Sequence, residues 1–79
     1  MSTAETLADR AIELAGTGMD TDEAVQGLLD CCADKHVSVV MAKRSIEERL
    51  ETGADDPSLT RAVELLSETL HRGPWGEAA

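Results

Sequence analysis

Between Leu28 and Leu50 the chain contains neither glycine nor proline, whereas glycines stand at 16, 18, 53 and 73 and the prolines at 57 and 74. Such punctuation forbids long loops in the middle and puts breaks at three defined places. The starts agree with the stops. Ser2 with Glu5, and Asp20 with Glu23, have capping-box spacing, and Asp56 before Pro57 reads as an N-cap followed by the first helical residue. Gly16 to Gly18, Gly53, and Gly73 before Pro74 serve as helix ends. His71 and Arg72 stand where the negative end of a helix dipole favours cations.

Apolar periodicity fills the intervals. Leu7, Ala8, Ala11, Leu14 and Ala15 make one helical stripe, and Leu59, Ala62, Val63, Leu66 and Leu70 make another. The middle admits two readings. At helical spacing Val25, Cys32, Val39 and Ile46 keep one phase, with Leu28, Leu29, Ala42 and Leu50 beside them, which fits one helix over 21–52. Against it, "HVSVV" at 36–40 is rich in β-branched residues, Ser38 can cap a new helix, and Lys35 and His36 interrupt the seam. The expected fold class is all-α, a small helical bundle of about four short helices. The alternative is three helices with one long central helix, which would need a dimer to cover it. Residues 1–73 are expected to form the single domain and 74–79 a flexible C-terminal tail.

The material for a core is thin. Leu, Ile and Val total 16 of 79 residues, Phe and Tyr are absent and Trp75 is the one aromatic. A chain of this size buries only about 60% of its unfolded surface, so contact with another protein or with itself would add stability, and a homo-oligomer is expected. Apolar positions off the main stripes (Ile12, Val40, Met41 and Leu65) are the natural contact residues. Trp75 either folds back over the last helix or stands out as an anchor.

Charge narrows the partner. The net charge is −9, with 8 acids against 2 bases in residues 1–36, 3 against 3 in 37–52, and 5 against 2 in 53–79. A surface this acidic repels phosphate backbones and anionic lipid, so nucleic acid and membranes are not the expected partners. No apolar run approaches the roughly 18 residues of a membrane span, and the N-terminus lacks the basic and apolar regions of a signal peptide. A cytoplasmic location is expected, where Cys31 and Cys32 are most simply free thiols. "MAKRSIEERL" at 41–50 is the one stretch that is not acidic overall. Lys43 and Arg44 there either pair with Glu47 and Glu48 one turn on, or offer a basic spot to a partner.

The chemistry-bearing residues form no active site on paper. Cys32 and His36 have the four-residue spacing of helical metal ligands, but a structural zinc needs four and the one other histidine is His71. Small core cysteines and a helix-end histidine account for "CCADKH" without a metal. There is no glycine-rich phosphate loop and no nucleophile–base–orienter set. No enzyme activity, catalytic residue, cofactor or metal is expected.

Two stretches resemble known families. "DDPSLTRAVELL" at 55–66, in a small acidic helical chain, resembles the Asp-Ser-Leu motif of acyl carrier proteins, which would imply a phosphopantetheine arm on Ser58. Here Ser58 follows Pro57 rather than Asp and begins the last helix rather than the second, so the arm is not expected. "GMDTDEAVQGLLDCCADKHVSVV" at 18–40 resembles the middle of an ANTAR domain, a three-helix RNA-binding antiterminator module, in Asp22-Glu23-Ala24 and in its apolar spacing. It covers less than half the chain and implies a nucleic-acid-linked regulator, in which Lys43 and Arg44 would meet phosphate. The primary expectation is different: a small acidic interaction module, a regulator or adaptor without chemistry of its own. Its candidate interface is Val40, Met41, Lys43, Arg44, Leu65 and Trp75.

Overall fold

A computed structural model describes residues 3–31 and 36–73. It contains four helices: α1 (Thr3–Gly16), α2 (Thr21–Cys31), α3 (His36–Glu51) and α4 (Pro57–Arg72). The chain thus follows the four-helix reading rather than the single helix over 21–52, and among the described residues there is no strand. Val25 lies on α2, whereas Val39 and Ile46 lie on α3, and all three are buried. Their shared phase reflects two helices packed on a common support. Cys32, the residue between them in that series, lies outside the described residues.

Local chemistry sets the helix boundaries. Asp20 accepts a hydrogen bond from the Asp22 N–H at 3.2 Å, and its carbonyl accepts from the Ala24 N–H at 2.9 Å, which opens α2. Asp56 is extended (φ −121°, ψ 118°) and accepts from the Ser58 N–H at 2.9 Å, with Pro57 supplying a preset φ at the first helical position. α3 closes in a Schellman turn. Gly53 takes φ +100°, its N–H donates to the Leu50 carbonyl at 3.2 Å, and the Ala54 N–H donates to the Arg49 carbonyl at 3.2 Å. α4 stops otherwise: Gly73 is extended (φ −67°, ψ 160°), as expected for a residue preceding proline. α3 starts at His36, so Ser38 does not cap it and instead sits buried inside the helix. The expected capping box at Ser2 lies outside the described residues.

Asp56→Ala removes one acceptor for the orphan N–H groups of α4 and is expected to cost about 1 kcal/mol. Urea unfolding followed by circular dichroism checks this, and an unchanged midpoint would show that solvent caps the helix equally well.

α1 and α4 each pack against all three other helices, while α2 and α3 do not pack against each other. The core is therefore built around the α1–α4 pair. It contains Leu7, Ala8, Ala11 and Leu14 from α1, Ala24 and Leu28 from α2, Val39, Ala42 and Ile46 from α3, and Leu59, Ala62, Leu65 and Leu66 from α4. The expected α1 stripe is buried apart from Ala15, which is half-buried. The α4 stripe is wider than its periodicity suggests. Val63 and Leu70 are half-buried, whereas Leu65 and Thr69 are fully enclosed. A helix with three neighbours buries a broad arc, and the Thr69 hydroxyl is satisfied inside it by donating to the Leu65 carbonyl at 2.8 Å.

Candidate interaction surface

The outer side of α3 carries the large apolar residues that the core leaves uncovered. Val37 is 57% exposed, Val40 37% and Met41 55%, while Val39, Ala42 and Ile46 on the opposite side are buried. Positions 37, 40 and 41 have i, i+3, i+4 spacing, so they share one face, and Arg44 continues it one turn on. The first half of α3 is thus apolar on both sides. One side is used by α1 and α4. The other forms a short apolar ridge in solvent.

The cations around this ridge are not neutralised. Arg10 pairs with Glu13 at 2.7 Å, Arg61 with Glu64 at 3.1 Å, and Arg72 with both Asp22 and Glu68. The expected Lys43–Glu47 and Arg44–Glu48 pairs do not form, and among the described residues Lys43, Arg44 and Arg49 make no ion pair. All three lie on α3. A pair between exposed side chains at that spacing gains only about 0.3–0.5 kcal/mol, so α3 forgoes little by leaving these apart, while Arg10–Glu13, Arg61–Glu64 and Arg72–Glu68 form on the other helices.

Of the six residues expected at an interface, Val40, Met41 and Arg44 come together on the exposed face, with Lys43 half-buried at its edge. Leu65 does not join them. It is 1% exposed, because α4 is enclosed by the other three helices and its off-stripe positions are interior. Trp75, with the expected tail 74–79, lies outside the described residues. Val37 was not anticipated, since its run of β-branched residues obscured the helical spacing that links it to Val40, Met41 and Arg44. Ile12, another off-stripe position, is half-buried against the core.

A second feature is an open groove of about 510 Å³ where the first turn of α2 crosses α4, lined by Thr21, Arg61, Val63, Glu64, Ser67, Glu68 and Arg72. Its polar groups satisfy one another. Arg61 donates to the Thr21 hydroxyl at 2.6 Å and to Glu64, while Arg72 bridges Asp22 to Glu68. The hydrogen bond that Arg72 donates to the Asp22 carboxylate holds its guanidinium above its ordinary pKa. The groove is a clasp between α2 and α4, with no cysteine or histidine among its lining residues.

Of the "CCADKH" residues, Cys31 ends α2 and His36 opens α3 in a half-buried position, while residues 32–35 lie outside the described part. Among the described residues no three His, Cys, Asp or Glu side chains converge as metal ligands. Among them, too, no helix is long and apolar enough to cross a membrane.

Fold and surface together define a small all-α bundle with one unpartnered apolar ridge among its described residues. No family model, curated protein or solved structure matches this chain.

Proposed function

We propose that the protein is a small acidic interaction module, a cytoplasmic regulator or adaptor without chemistry of its own, that binds a protein partner through the outer face of α3. One observation carries this reading. Val37, Val40 and Met41 are the large hydrophobic side chains that the described fold leaves exposed, and all three lie on one face of one helix. Apolar residues scattered singly over a surface need no explanation, whereas a contiguous patch marks a contact site. In a chain with so few large apolar side chains, three left in solvent are a substantial share of what folding could have buried.

The test is a double substitution, Val40→Glu with Met41→Glu, in tagged protein recovered from its native lysate and weighed by native mass spectrometry. A stoichiometric protein retained by the wild type should be lost from the variant, and the thermal melt should be unchanged because neither side chain is in the core. Equal recovery by both proteins would refute the role of this face.

Lys43 and Arg44, free of ion pairs among the described residues, favour a second reading, a nucleic-acid-linked regulator. It predicts a complex that dissolves with nuclease, weakens steeply with salt and is lost in Lys43→Glu. It stands second because the chain as a whole carries a net charge of −9, and because an apolar ridge gains nothing from a phosphate backbone.

A further inference from the structure

We infer that the occupant of the α3 ridge is an amphipathic helix of another protein that carries carboxylates beside its apolar anchors. The inference rests on the interaction reading above and adds the sign of the partner's charge.

The chain is acidic, but the ridge is not. Residues 36–46 contain Lys43 and Arg44 and no aspartate or glutamate, and the first turn of α3 holds no acid. The acids of α3 are Glu47, Glu48 and Glu51, all toward its far end. The ridge also occupies the first turns of α3, at the positive end of the helix dipole. Arg44 stands one helical turn, about 5.4 Å, beyond Val40 and Met41. That is inside the Debye length of about 8 Å at physiological salt, whereas Glu47 and Glu48 stand a further turn away from the apolar side chains. The net charge of −9 governs slow approach from a distance, and the local cations govern contact. A carboxylate brought against Arg44 finds a cation that no group within the described residues has claimed.

The geometry suits a helix. Three apolar side chains at i, i+3, i+4 form a narrow ridge that fits the groove between side-chain rows of a second helix. Stable interfaces engage about 20–30 residues a side, so three apolar residues make only the centre of one. Charged and polar neighbours must form the rim, and their sign then decides which partners dock.

A second copy matches the centre of the ridge less well. Among the described residues no other large hydrophobic side chain is exposed, so a two-fold dimer would set ridge on ridge. With the two-fold axis at Val40 and Met41, both Arg44 side chains and both Lys43 side chains would flank one contact, on two molecules that already carry −9 each.

The experiment is an NMR titration of the full ¹⁵N-labelled chain with two synthetic amphipathic helices. Both have the same leucine stripe, flanked by glutamate in one and by lysine in the other. The glutamate peptide should shift the amides of residues 36–46, and its affinity should fall with added salt. Arg44→Glu should weaken it about tenfold, with an unchanged melting temperature and a gain for the lysine peptide. Equal or tighter binding of the lysine peptide at 36–46 would overturn the acidic partner while leaving the ridge as an interaction surface. Shifts of the same amides on concentrating the chain alone would make a second copy the occupant and also overturn it. So would saturable binding of a short RNA oligonucleotide at 36–46, in favour of the nucleic-acid reading. No shift at 36–46 with either peptide at millimolar concentration would overturn both the inference and the ridge.

Discussion

Leu65→Ala is expected to destabilise the bundle by about 2–5 kcal/mol, the range for truncating a fully buried leucine. A chain of this length has about 4–12 kcal/mol to lose, so the variant should sit near the edge of folding at 37 °C. Leu65 is 1% exposed and belongs to the core at the centre of α4. Removing it empties space lined by side chains that the surrounding helices cannot easily close. Met41→Ala, 55% exposed on the outer face of α3, is the matched control and should shift stability by no more than about 0.5 kcal/mol. Urea titrations of the two variants separate the cases. Near-equal midpoints would mean that Leu65 lies on a surface after all, as its position off the apolar stripe suggests.

Overfilling should also be costly. Ala8, Ala11, Ala24, Ala42 and Ala62 are all buried to within 2% of completely, so small side chains set the distance between these helices. Ala62→Leu forces extra methyl groups into the face of α4 and is expected to cost about 1–3 kcal/mol. For a domain of this size each kcal/mol lowers Tm by about 4–8 °C. Leucine forms helix nearly as well as alanine, so the loss reports packing rather than propensity. A melt no lower than that of the wild type would reveal a cavity beside Ala62 that the added carbons fill.

Features governed by neighbours in sequence were legible before the fold was seen. Asp20, Asp56 and Pro57 act within three residues of themselves, so their capping roles follow from spacing alone. The break in the middle was half-legible. "HVSVV" suggested a new helix, but Ser38 was the wrong start, since α3 begins two residues earlier and encloses it. The width of the buried arc on α4 was not legible, because it depends on how many helices surround it. Periodicity selected Val63 and Leu70, whereas the three-sided environment added Leu65 and Thr69.

The candidate surface divides the same way. Val40 and Met41 followed from having no place on the core face. Val37 carries the same signal at i−3 and i−4, but its β-branched neighbours made the local structure ambiguous. Lys43 and Arg44 looked neutralised from their spacing to Glu47 and Glu48. In the fold these side chains stay apart, although exposed helical pairs of the same kind form at Arg10–Glu13, Arg61–Glu64 and Arg72–Glu68; each such pair is worth only about 0.3–0.5 kcal/mol, so spacing alone does not decide which form.

α2 and α3, consecutive in the chain, meet only through α1 and α4. Changes on the exposed face of α3, which touches neither α2 nor the core it shares with α2, should therefore add to changes on α2, as they do for distant sites without shared partners. Selection, or a designer, can recut the outer face of α3 residue by residue without renegotiating α2 or its clasp with α4. A scaffold wired like this can change the side chains of one outer face and keep the same core.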